Sequence, residues 1–206
     1  STSQNIVSSQ VSCDVIDSYE AAFIIDPDII LLDGPRWTQY DSPGSAPPAS
    51  QWEVKDGAIT ELSNLYKGDA SNNDPETERP GSMRIYTPEQ PNANGTLTLE
   101  IASSDDDGFG VAFRLQDAEH YYLWHMDRQR GFRVLTCKNG NEYRALSCNH
   151  TGYESNRWHK VAVVLKDPDI NLYLDGELEC QVTEETVKGE KFALYAWDAQ
   201  ALNSET

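Results

Sequence analysis

The sequence predicts an all-β sandwich or jelly roll. Three observations carry that prediction. Tight-turn dipeptides recur at Asp56-Gly57, Asn139-Gly140 and Asp175-Gly176, and each supplies the left-handed backbone that a hairpin turn requires. Short runs of alternating apolar and polar residues lie between the turns, the period of a strand with one buried face. Little of the chain carries a helical period.

The N-terminal third is the most irregular part. DSPGSAPPASQW, which ends at Trp52, reads as a Pro/Ser-rich loop. KGDASNNDPETERPGS, from Lys67 to Ser82, reads as a mobile polar surface loop. TLTLEIAS, from Thr96, is a strand. Val111, Phe113 and Leu115 then alternate with Ala112, Arg114 and Gln116, and Tyr122, Trp124 and Met126 alternate with Tyr121, Leu123 and His125. Pairing these runs as a hairpin with Gln116 opposite Tyr121 sets Phe113 against Trp124 and Val111 against Met126. Apolar meets apolar, and a one-residue slip would send each set to the wrong face. Extended through Arg128-Gln129-Arg130-Gly131, the sheet sets Val134 against Trp124 and Arg133 against His125. WHKVAVVLK, from Trp158, is a strand; INLYLDGELECQV, from Ile170, is two strands about a tight turn; KFALYAW, from Lys191, is the last. Strands at this spacing argue for two antiparallel sheets. A chain of 206 residues without repeats or linkers is expected to form one domain, 1–206, burying about 70% of its unfolded surface.

With 34 acidic and 16 basic residues the net charge is -18. That balance excludes non-specific nucleic-acid binding and disfavours anionic membranes, since nothing offsets phosphate repulsion. No apolar run reaches membrane-spanning length, so no membrane insertion is expected. The start, STSQNIVSSQ, lacks the charged and apolar regions of a signal peptide; a secreted protein would have lost its signal already, or the domain is cut from a longer chain. Cys13, Cys137, Cys148 and Cys180 include no CxxC pair, which argues against zinc. The favoured disulfides are Cys137-Cys148, flanking a short turn, and Cys13-Cys180; the alternative is four free thiols. Asn94-Gly95-Thr96 and Asn149-His150-Thr151 are glycosylation sequons. Even cysteines, sequons and acidity together point to an extracellular protein.

The face opposite the core in the central strands carries Arg114, Gln116, Tyr121, His125 and Arg133. Guanidinium forks and amides suit hydroxyl or carboxylate ligands, and aromatic rings stack on sugar faces. The alternative is an ordinary solvated face with cross-strand polar pairs. Tyr195 and Trp197 are stacking candidates from the last strand, or else core residues.

The segments WEVKDGAITELSNLYKGD, SSDDDGFGVAFRLQDAEHYYLWHMDRQRGFRVL and INLYLDGELECQVTEETVKGEKFALYAWD follow one another in order. In this order the chain resembles the concanavalin A-like lectin/glucanase superfamily, and within it the laminin G-like and thrombospondin C-terminal-like jelly rolls. The match runs from about Trp37 to Asp198. The resemblance implies two curved antiparallel sheets, often with calcium and frequently with carbohydrate binding. The chain departs from it at the end, where a strand containing Phe-Asp is expected and the sequence reads ALNSET.

Asp105, Asp106 and Asp107 repel one another unless something intervenes. Calcium takes six to eight oxygens at roughly 2.3–2.6 Å. Asp105 with Asp107, or Asp106 with backbone carbonyls, would share an ion most easily, with Asn64 and Asp198 adding oxygens from neighbouring strands. The alternative is a solvated acidic turn. Glucanases of the superfamily alternate paired carboxylates along one strand; here Asp175, Glu177 and Glu179 straddle a turn and read as surface residues. Arg114, Gln116, Tyr121 and His125 are also the residue types of a polysaccharide lyase. GxSxG, HExxH and phosphate-cradling glycine loops are missing from the sequence. The expectation is therefore a non-catalytic, calcium-stabilised lectin-like module that binds a polysaccharide or glycan, with acidic glycans among the candidates. An adhesion module that binds an extracellular protein is the alternative, and a lyase or hydrolase the second.

Overall fold

Among the residues described by the computed structural model, 21–25, 32–63 and 65–197, every regular element is a strand. One sheet runs in the order β13 (Glu177–Thr183), β12 (Asp169–Leu174), β11 (His159–Lys166), β6 (Gly95–Ala102), β1 (Ala21–Ile25), β4 (Ala58–Glu61), β3 (Trp52–Lys55). The other runs β10 (Glu142–Asn149), β9 (Phe132–Asn139), β8 (His120–Asp127), β7 (Gly108–Asp117), β14 (Lys191–Trp197), β5 (Ser82–Tyr86), β2 (Trp37–Asp41). All pairings are antiparallel. The expected all-β jelly roll is thus what the chain forms. The Asp175-Gly176 turn joins β12 to β13 with both residues at positive φ, 51° and 84°, the backbone that its dipeptide favours.

The sheets face one another across a core built from alternate residues of each. Phe23, Ile59, Leu99, Ile101, Val161 and Leu172 come from the first sheet; Phe109, Val111, Phe113, Tyr122, Trp124 and Leu194 from the second. A second apolar cluster lies on the far side of the second sheet: Met83, Ala112, Leu115, Tyr121, Leu123, Ala193, Tyr195 and Trp197. From the sequence that face is expected to be a polar ligand-binding surface, with a solvated face as the alternative. The structure lays the segment from Lys67 to Ser82 across it as a strap, tied to the sheet through Tyr195, Trp197 and Arg130.

The central register needs two corrections. At the β7–β8 turn, Asp117 faces His120, the expected alignment. A bulge then absorbs two residues, so Phe113 meets Tyr122 and Val111 meets Trp124. A two-residue shift preserves the faces. Between β8 and β9 the pairs are Trp124–Leu135 and His125–Val134, one residue from the expected alignment, and that shift exchanges the faces of β9.

The Cys137–Cys148 disulfide is overturned. Cys148 pairs with Val134, three residues along β9 from Cys137, a separation of about 10 Å at the rise of a strand. A disulfide closes only below about 7 Å. Among the described residues Cys137, Cys148 and Cys180 form no disulfide with one another. Cys13, and with it the Cys13–Cys180 pairing, lies outside the described residues, as do Asn64 and Asp198.

Candidate functional site

The outer face of the second sheet is aromatic because glycines clear space on β7. Tyr195, Gly110 and His125 lie in one row across β14, β7 and β8. With no side chain at Gly110, the rings of His125 and Tyr195 approach to 5.6 Å. A Cβ there would meet Trp124 O at 2.1 Å. Phe132 contacts His125 from the other side at 5.7 Å.

Arg79 anchors the strap above this floor. Its guanidinium lies 5.0 Å from the Phe132 ring centre and 5.6 Å from that of Trp197, a cation–π arrangement. It donates to the carbonyls of Asn72, Asp74 and Thr77, which folds the strap about it. Tyr195 Oη donates to Arg79 O at 2.7 Å, Trp197 Nε1 to Lys67 O at 3.1 Å, and Arg130 Nη2 to Ala70 O at 2.7 Å.

The predicted ligand-binding residues are therefore dispersed. His125, Tyr195 and Trp197 are buried beneath the strap. Tyr121 stays on the outer face, almost buried, with burial and the nearby Tyr143 and Glu78 pushing its phenol pKa well up. Arg114 leaves that face altogether. The bulge sets it at φ 44° and sends Leu115 outward in its place. Its guanidinium is buried at one end of the sandwich, donating to Glu184 O at 3.1 Å and lying 3.8 Å from Asp167. Gly189 closes over the bulge, donating to Arg114 O at 3.1 Å. Gln116 is exposed and lines a separate hollow of about 230 Å³ with Lys188 and Lys191. Arg133, turned inward by the shifted register, forms a two-pronged contact with Glu179 on β13, at 2.7 and 3.2 Å, and donates to Gly152 O. Five residues expected on one face thus occupy several surroundings.

What remains open on the outer face is a groove of about 250 Å³ beside the strap. Tyr40, Lys67, Glu78, Glu119, Tyr121 and Lys138 line it. The Lys138 ammonium lies 3.0 Å from Glu78 and 3.3 Å from Glu119. Burial alone would push its pKa down; the hydrogen bonds and charges of the two glutamates outweigh that and hold it above the usual lysine value. Tyr40 is raised by burial and by Glu119 and Glu78. The groove thus joins two phenol rings to fixed charged donors and acceptors, which orient hydroxyl groups in a concave site. Lys138 was legible in principle: the 128–131 turn closes with Asp127 opposite Phe132, which aligns Tyr121 with Lys138. Glu78 carries no such signal.

The three aspartates sit where β7 begins. Their carbonyls are used internally: Tyr153 Oη donates to those of Asp105 and Asp107, Ser155 Oγ to that of Asp105, and the Arg128 and Gln129 amides to that of Asp106. Arg130 bridges Asp107 at 3.1 Å and the buried Asp127 at 2.9 Å, so part of the repulsion is relieved by a cation that also holds the strap. Burial and the adjoining Asp105 raise the pKa of Asp106. Each aspartate offers one carboxylate oxygen, all within 4.8 Å of one another, a donor set that fits a hard cation. Among the alternating carboxylates near the turn, Asp175 accepts from the Lys160 amide and contacts His159, and Glu179 holds Arg133.

The comparisons with known proteins agree with this architecture. The chain is similar to the carbohydrate-binding module CBM66 from Bacillus subtilis, with 15% identity over 79% of this chain and 88% of that one at a TM-score of 0.57. It is similar to the laminarinase catalytic domain from Thermotoga maritima, with 9% identity over 82% and 86% at 0.53. A β-1,3-1,4-glucanase (lichenase) derived from a mouse hindgut metagenome aligns with 13% identity over 84% and 85% at 0.51. At such identities the likeness is one of fold, and that fold is the concanavalin A-like jelly roll. Among curated protein sequences none matches. The model of one family, the 3-keto-alpha-glucoside-1,2-lyase-like domain, matches residues 28–201, most of the chain, and the chain belongs to that family.

Proposed function

We propose that this domain is a non-catalytic extracellular module that binds a glucose-containing carbohydrate in the groove between the strap and the β7–β8 turn. The observation that carries the reading is the groove itself, where Tyr40 and Tyr121 stand beside Lys138, Glu78 and Glu119. Rings supply the stacking surface and the charged groups supply directional hydrogen bonds to hydroxyls. The family description and the glucanases of like fold support glucose as the sugar. We assign calcium to the Asp105–Asp107 cluster, supported by the convergence of its oxygens. The exposure of Asn94 and Asn149 supports glycosylation at both. The test is a glycan array in calcium and in EDTA, followed by calorimetry on any hit with Tyr40→Ala and Lys138→Ala. Each substitution is expected to weaken binding about tenfold, the loss of one charge-assisted hydrogen bond or stacking contact. A ligand whose affinity neither substitution changes would place binding elsewhere.

The family favours a second reading, elimination across C1 and C2 of a 3-keto-glucoside. Such a reaction needs a base for the C2 proton and a donor for the departing oxygen. Glu119, the more exposed of the groove's two glutamates, would be the base and the Lys138 ammonium the donor. Incubation with a 3-keto-α-glucoside and mass analysis of the products decides it: turnover lost in Glu119→Gln supports the lyase, and an unchanged substrate leaves the binding module.

A further inference from the structure

The interface between strap and sheet is chemically lopsided. Below lie Tyr195, Trp197, Phe132 and His125, all buried. Above lies a polar segment, 67–81, which contributes Ala70 to the apolar cluster and otherwise meets the rings with Arg79. A permanent second core would be apolar on both sides. His125 is fully buried, and neither of its ring nitrogens has a hydrogen-bond partner. Buried polar atoms of this kind call for an explanation, and a hydroxyl-bearing ligand would supply the missing partners. The strap also forms one wall of the open groove through Lys67 and Glu78, so groove and floor are parts of one sheet face divided by the strap.

We propose that the strap 67–81 is a displaceable cover, and that lifting it extends the groove into a cleft for an oligosaccharide, with one sugar at Tyr121 and the next over Tyr195, Trp197 and His125. This extends the carbohydrate reading and rests on it. Arg79 holds the cover shut, standing on the rings where a sugar would stack. Its own hydrogen bonds run to carbonyls of the strap, so it closes the cover as a unit. The closed state taxes long ligands by the fraction of molecules that are open, and leaves short ones untaxed.

The test uses the whole chain, wild type and Arg79→Ala, with glucose and β-1,3- and β-1,3-1,4-linked gluco-oligosaccharides of increasing length. Arg79→Ala is expected to bind oligosaccharides about tenfold more tightly than wild type and glucose within about twofold. Hydrogen exchange in the free wild-type protein is expected to show strap amides opening well before those of β8 and β9, and oligosaccharide to change exchange across the strap. Strap amides that exchange only together with the sheet overturn the cover. So does an Arg79→Ala protein that is destabilised and binds every length as wild type does. If neither protein binds any sugar, the carbohydrate reading fails and the cleft fails with it. An Arg79→Ala protein that binds glucose but gains nothing from chain length defeats the cover alone.

Discussion

His125 should make this protein acid-sensitive from about pH 6.5 downward, beginning above the range in which its carboxylates titrate. Its ring lies between Phe132 and Tyr195 with no water contact and no hydrogen bond to either nitrogen. Burial, and then the nearby Arg79 cation, push its pKa from 6.5 down to about 3. The unfolded chain takes up a proton near pH 6.5, whereas the folded chain does not until about pH 3. Between those values the unfolded state holds more protons, so stability falls with falling pH. Each unit below 6.5 costs about 1.4 kcal/mol. By pH 4.5 the loss is about 3 kcal/mol, and by pH 3 about 5 kcal/mol, comparable to the whole stability of many domains. Urea unfolding of wild type and His125→Leu at pH 7.5, 5.5 and 4.5 isolates this contribution, because all other groups titrate in both proteins. The variant should gain on wild type by about 3 kcal/mol over that range. An unchanged difference between the two proteins from pH 7.5 to 4.5 would refute the argument, for it would mean that the ring is hydrated or paired in solution.

Three further measurements address other parts of the structure. Gly189→Ala should cost about 2–3 kcal/mol in urea unfolding, because a Cβ there would lie 2.2 Å from Leu115 C and 2.3 Å from Gln116 N; a cost under about 0.5 kcal/mol would mean that the bulge is not held as described. A double-mutant cycle on Arg133→Ala and Glu179→Ala should give a coupling of about 1–2 kcal/mol, reflecting a two-pronged pair only 13% exposed on each side, with sugar affinity unmoved; no coupling would deny the contact. Calcium at a hundred times its dissociation constant should stabilise wild type by about 2.7 kcal/mol, seen as a rise of several degrees in Tm, and should do so far less in Asp106→Asn. Equal shifts in both proteins would remove the ion from that cluster.

The fold was legible because its signals are local. Turn dipeptides and two-residue alternation announce the hairpins, and the β12–β13 hairpin around Asp175-Gly176 lies where they place it. The site was not legible, because it depends on where the alternation breaks. Nothing in Phe113-Arg114-Leu115-Gln116 announces a bulge, and an arginine at φ 44° is a backbone choice made by tertiary packing against Gly189. That single irregularity removes Arg114 from the expected face. The one-residue shift between β8 and β9 does the same to Arg133 and brings Lys138 in. The strap misled for a different reason. Its polarity suggests solvent, but it folds about Arg79, whose guanidinium finds acceptors in the strap's own carbonyls. A polar segment can thus lie flat on an aromatic floor without an apolar face of its own.

The charge distribution argues for an uncharged sugar over an acidic one. The chain carries -18, so an anionic polysaccharide meets long-range repulsion, damped beyond about 8 Å at physiological salt. Close in, only a local cation could compensate. The groove's buried ammonium, Lys138, is already held by Glu78 and Glu119, and the two arginines first expected to meet a carboxylate are engaged by Asp167 and Glu179 inside the fold. A uronic acid entering the groove would find the exposed Lys67 a solvent-screened partner of little worth, and to reach Lys138 it would have to displace a glutamate, exchanging one ion pair for another with a desolvation cost on top. In the proposed site a neutral sugar would displace nothing: its hydroxyls would donate to the outward carboxylate oxygens and accept from the ammonium, and its ring would lie on a tyrosine. Gluco-oligosaccharides should therefore bind in preference to uronic-acid oligomers of equal length by at least about tenfold, a gap that salt narrows. Preference for the acidic oligomer at low salt would contradict this account of Lys138.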